Sequence, residues 1–145
     1  MFRFRLERVL AYRRLQVEAL EQEMRDSVNK VQHEETILQG LQTSCRQQQE
    51  ELVGSEGQRL SGEALRMWHR HYRSLEAQMQ RQQAVVLEVT QALAAKRQEV
   101  IAARQKKKML EKIADTARQR HAIKVARSEQ QLLDDIANTR PHHGY

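Results

Sequence analysis

The chain has 145 residues, 30% of them charged, a net charge of +6, only 4% aromatics, five glycines and one proline. That stock excludes most sheet folds, which need β-branched and aromatic residues to pair strands and Gly or Pro to reverse them. No apolar run approaches the roughly eighteen residues that span a bilayer. The opening Met1-Phe-Arg-Phe-Arg-Leu-Glu-Arg has no apolar stretch of signal-peptide length either, and the abundant Leu, Ala, Gln, Glu, Arg and Met are the residues that lose least in a helix.

The first expected element is a helix over residues 5 to 52. Leu10, Val17, Met24, Val31, Leu38, Cys45 and Leu52 recur every seventh residue without interruption, as position a of a heptad does. The companion d position reads Arg13, Leu20, Ser27, Glu34, Leu41 and Gln48, so the seam is continuous on one side and broken on the other. Cys45 reads as a small buried hydrophobe in that series. As the lone cysteine it leaves no internal disulfide and no metal-thiolate pattern, and the expected location is the reducing cytoplasm. Ahead of this helix, Phe2 and Phe4 alternate with Arg3 and Arg5, either as a small membrane anchor or as packing onto Leu110 and Ile113.

A turn is expected within residues 53 to 62, where Gly54, Gly57 and Gly62 cluster with serines and Ser55-x-x-Gln58 spells a capping box. Beyond it the stripe restarts in a new frame. Leu65, Tyr72, Met79, Val86, Leu93 and Val100 take position a, and Trp68, Leu75, Gln82, Val89, Lys96, Ala103 and Leu110 take position d. The second helix is expected over 62 to 138, with a disordered tail over 139 to 145 that carries His142-His143.

Two stripes in separate frames are buried together if the chain folds back on itself, so the expected fold is all-α: a single domain of two long helices in an antiparallel coiled-coil hairpin. At 1.5 Å per residue the helices span about 70 Å and about 115 Å. The second therefore overhangs, from near residue 115. The alternative is a rod that dimerises in parallel. Charge is uneven too. From Lys96 to Arg127 the chain carries eleven basic and three acidic residues, a net +8 against −2 for the remainder. The basic stretch lies at the open end of the expected hairpin.

Lys106-Lys-Lys108 reads as a solvated helix face, or as part of a partner-binding basic stretch. The absence of interleaved aromatics for stacking bases makes nucleic acid an unfavoured partner. Trp68-His-Arg-His71-Tyr72 is the one aromatic-rich spot, with Trp68 and Tyr72 on seam positions. His69 and His71 point about 200° apart on a helix and cannot chelate together. No phosphate loop, His-x-x-x-His pair or Gly-x-Ser-x-Gly elbow is present, and the carboxylates lie on helix faces without a pocket. The expectation is a non-enzyme with no catalytic residue, no metal and no cofactor.

The phrase Met1-Phe-Arg-Phe-Arg-Leu-Glu-Arg-Val-Leu-Ala-Tyr-Arg-Arg14 resembles the start of the FliJ family of flagellar export proteins. Phe2, Phe4, Leu6, Val9, Leu10 and Arg13 stand in the family's arrangement, and the length, the glycine-marked break and the longer basic second helix agree with it. The related stalk proteins of virulence type III secretion systems have the same outline and remain the sibling reading. The resemblance implies a cytoplasmic part of the export apparatus at the inner-membrane face, similar to the paired terminal helices of a rotary-ATPase γ subunit. It implies that the open end enters the hexameric export ATPase, that the start of the second helix touches the export gate, and that export chaperones bind. Carried over by position, Arg118, Arg120, Lys124 and Arg127 would face the ATPase, and Trp68, Tyr72, Leu75 and Met79 the gate. In that segment Leu75-Glu76 and Met79 resemble the family pattern, whereas His71 and Gln78 stand where more apolar residues belong.

Overall fold

A computed structural model describes residues 1–55 and 61–139. It contains two α-helices, α1 over Glu7–Gly54 and α2 over Gly62–Thr139, which pack against each other over most of their length as an all-α helical hairpin.

The helix ends follow from local hydrogen bonding. At the start of α1, the Glu7 N–H donates to the Phe4 carbonyl at 3.2 Å and the Leu10 N–H to the Leu6 carbonyl at 2.9 Å. The Glu7 carboxylate lies in the first turn, where the helix dipole favours it. At the other end, Ser55 donates its N–H to Glu51 and its hydroxyl to Leu52 at 2.9 Å, satisfying carbonyls that the helix leaves open. The N-cap of α2 is Ser61, whose Oγ accepts the Ala64 N–H at 3.1 Å. The expected Ser55-x-x-Gln58 box includes Gln58, which lies outside the described residues. So do the middle of the turn expected within 53–62, and residues 140–145 of the expected tail with His142-His143.

The chain divides into two compact units. The first, Leu20–Val100, holds the ends of the helices nearest the turn in antiparallel pairing. Its core cluster is Val31, Val89 and Leu93, with Met24, Val28 and Val85 packed against it. Cys45 and Leu75 are also buried here. Polar seam positions are accommodated at the margin: Gln82 donates to the Glu34 carbonyl at 2.9 Å and to the Glu34 carboxylate. Among the described residues no polar or charged side chain is fully buried, and none is left buried without a hydrogen-bond partner. A broken d series is tolerated because long polar side chains bury their stems while their heads reach the edge of the seam.

The second unit comprises Met1–Ala19 with Ile101–Tyr145. Leu10, Val17, Ala103 and Ala114 form its buried seam, and Arg14 pairs with Glu111 at 3.9 Å across it. Here the structure corrects an expectation. The end of pairing was expected near residue 115, but Ala117 and His121 are half-buried, and every described residue after His121 is exposed. The Phe2 ring lies 5.3 Å from the His121 ring instead of on Leu110 and Ile113, and Ile113 is exposed. The contact lies where the register of the pairing leads: Arg14 faces Glu111, and Phe2, twelve residues earlier, faces His121, ten residues later.

Candidate interaction surfaces

Arg118, Arg120, Lys124 and Arg127 all lie on α2 and are all exposed. Arg118 pairs within its own helix to Asp115 at 3.8 Å. At about 100° per residue, Arg120, Lys124 and Arg127 share one face of the helix while Arg118 points to the opposite side. The structure thus groups three of the four. Just before them, Lys112, Ile113, Thr116, Ala117 and Arg120 line a shallow groove of about 570 Å³, with an apolar floor between two cationic walls. Among the described residues this end of the molecule offers charge and reach.

Near the turn, Trp68 and Tyr72 stack with ring centroids 5.1 Å apart and planes 8° apart. The Trp68 indole N–H donates to the Gln48 carbonyl at 3.1 Å, and Gln49 donates to the Tyr72 hydroxyl at 2.6 Å. Both rings are half-buried against α1, as is Met79, whereas Leu75 is only 9% exposed. All four occupy a or d positions, which turns them toward α1. Leu75 belongs to the seam and presents no surface to a partner.

The residues that this segment turns outward were missed in the sequence. Met67, 70% exposed, falls outside the heptad series. Leu65, expected in the seam, is 48% exposed. Leu65, Arg66, Trp68, His69 and Arg70 line a groove of about 410 Å³ there. An apolar residue outside the repeat, followed by closely spaced arginines, was the available signal.

Elsewhere Leu10, Val17, Val31, Cys45, Val89, Leu93 and Val100 are buried seam residues, and Met24, Leu38, Leu52 and Val86 are half-buried. Lys96, at a d position, lies at the seam margin and donates to Glu23 at 2.8 Å and Glu99 at 3.0 Å. Those hydrogen bonds, to Glu23 foremost, hold its ammonium above the usual lysine range. Among the described residues no group of His, Cys, Asp and Glu could hold a metal ion, and no helix is long and apolar enough to cross a membrane.

Comparison with known proteins agrees with this paired-helix geometry. A family model described as flagellar FliJ protein matches residues 1–144. No curated protein and no solved structure matches the chain.

Proposed function

The chain belongs to the flagellar FliJ family, a non-enzymatic component of the flagellar export apparatus, and we propose that it serves there as the stalk that couples the export ATPase to the export gate. In this reading it works in the cytoplasm at the inner-membrane face. The basic end of α2 enters the bore of the hexameric ATPase, and the segment from Trp68 to Met79 meets the gate. Export chaperones are further partners.

The observation that carries the reading is the continuation of α2 past His121 as an exposed helix with Arg120, Lys124 and Arg127 on one face. A rod seated in a ring must touch several subunits at once, and long cationic side chains reach uneven walls while their stems stay packed. For the gate contact, the half-exposed edges of Trp68, Tyr72 and Met79 supply the surface with Leu65 and Met67 beside them, and Leu75 supports them from the seam.

The test is ATP turnover by the purified cognate ATPase, titrated with wild-type chain and with a quadruple Arg118→Glu, Arg120→Glu, Lys124→Glu, Arg127→Glu variant at fixed ionic strength. Stimulation by the wild type and none by the variant is expected. Equal stimulation by both would refute the open-end contact. Salt-sensitive binding to random-sequence nucleic acid with no ATPase response would favour a basic nucleic-acid-binding hairpin instead.

A further inference from the structure

Between Lys106 and Arg127, α2 carries a strip of mixed character beside the seam. At about 100° per residue, Met109, Ile113 and Ile123 fall within an arc of about 120°, and Lys106, Lys112, Arg120, Lys124 and Arg127 fall within the same arc. The three apolar side chains are between 48% and 64% exposed, and all five cations are exposed. The arc is centred about 110° from the seam residues Leu110, Ala114, Ala117 and His121, so pairing with α1 leaves it open. Val125, Leu132, Leu133 and Ile136 point to the other side of the helix and take no part in it.

The cations of the strip are uncompensated. Between residues 106 and 127 the acids are Glu111 and Asp115, and both lie outside the arc. Glu111 pairs with Arg14 across the seam, and Asp115 with Arg118. None of the five strip cations makes an ion pair among the described residues. Over about 30 Å of helix the strip therefore presents positive charge without a negative group among it.

The interleaving says what fits. A partner helix needs an apolar stripe kept apart from its charged flanks. Here Arg120 and Arg127 share the midline of the strip with Met109, while Ile113 and Ile123 lie toward opposite edges. Nucleic acid would use the cations and leave the apolar side chains in water. An acidic phospholipid surface takes both, because phosphates and an apolar layer beneath them are present at every point along it. Lys and Arg stems lie along that layer while their heads reach the phosphates.

We propose that this strip binds an anionic lipid surface directly, with Met109, Ile113 and Ile123 at the acyl boundary and the five cations on lipid phosphates. The proposal goes beyond the stalk reading, in which Arg120, Lys124 and Arg127 face the ATPase: a chain lying on lipid withholds these residues from the ring. The experiment below contains no ATPase, so either reading can fail without the other.

The test is flotation of the full chain with vesicles of phosphatidylcholine containing about 30% phosphatidylglycerol, against vesicles of phosphatidylcholine alone. Binding to the first and none to the second is expected, with an apparent Kd on the order of 100 µM in accessible lipid. Raising salt to about 0.5 M should weaken it. Met109→Ser with Ile113→Ser and Ile123→Ser keeps every charge and should weaken binding about tenfold, with the hairpin melt little changed because all three side chains are exposed. Two charge variants locate the face. Lys112→Gln, Arg120→Gln, Lys124→Gln and Arg127→Gln together should abolish binding. Arg66→Gln, Arg70→Gln, Arg73→Gln and Arg81→Gln together remove the same charge from the turn-proximal part of α2 and should bind as wild type. Equal loss in the two quadruple variants, or wild-type binding by the serine variant, would overturn the proposal by reducing the attraction to net charge. Failure of the wild type to float with anionic vesicles would overturn it outright, including where the same strip captures nucleic acid or an acidic protein.

Discussion

Gly40 occupies an exposed position inside α1, and a Cβ built there would meet nothing within 4 Å. A glycine in a helix interior costs about 0.5–1 kcal/mol relative to alanine, so Gly40→Ala should raise stability by about that amount in a urea melt. The opposite outcome is expected at Val31, which anchors the core cluster with Val89 and Leu93. Val31→Asp should cost about 3 kcal/mol by placing a carboxylate where no partner is available. Ellipticity at 222 nm followed through a thermal melt checks both. Val31 was legible in the sequence because seven residues of one type at sevenfold spacing leave no competing register. Leu65 was not, although it belongs to an equally regular series. Its exposure depends on what the fold sets beside the start of α2, which periodicity does not encode.

At the scale of elements, the end of α2 beyond His121 makes no contact with α1 that burial would register. The quadruple charge reversal at Arg118, Arg120, Lys124 and Arg127 should therefore shift the midpoint of hairpin melting little, whatever it does to partners. Phe2→Ala removes the aromatic contact with His121. Amide exchange should then accelerate in the turns of α2 around residues 114–121 while the turn-proximal unit keeps its protection. Between the helices, Lys96 binds Glu23, and its folded-state pKa is raised above the usual lysine value. A raised pKa means that the folded form holds the proton more tightly, so the contribution is fully present below that value and is lost as pH rises through the higher folded pKa. Lys96→Met should remove this alkaline component of the stability profile and leave the neutral-pH helicity intact. Compared at pH 8 and pH 11, the difference in stability between wild type and variant should shrink at the higher pH.

For the whole molecule, spin labels at Met24 and Val89, which pack around one cluster in the turn-proximal unit, should report a short separation in the monomer. A separation of several tens of ångströms in a dimeric species would restore the parallel rod. That α1 and α2 are helices and that each has one long stripe followed from the sequence by itself. Heptad spacing is a property of each helix alone and is repeated many times, so single polar interruptions such as Glu34 and Gln82 do not erase it. The tertiary structure alone decided where pairing stops, which residue caps α2 and which face of the overhang stays bare. Ala114 and Ala117 looked like a decaying heptad, but small residues bury well where helices approach closely. The reach of Phe2 to His121 follows from the register of the pairing, which sets Arg14 against Glu111 and so carries the N-terminal segment past Ala117. Such ends are set by one segment meeting another, and the repeat within either helix holds no record of that meeting.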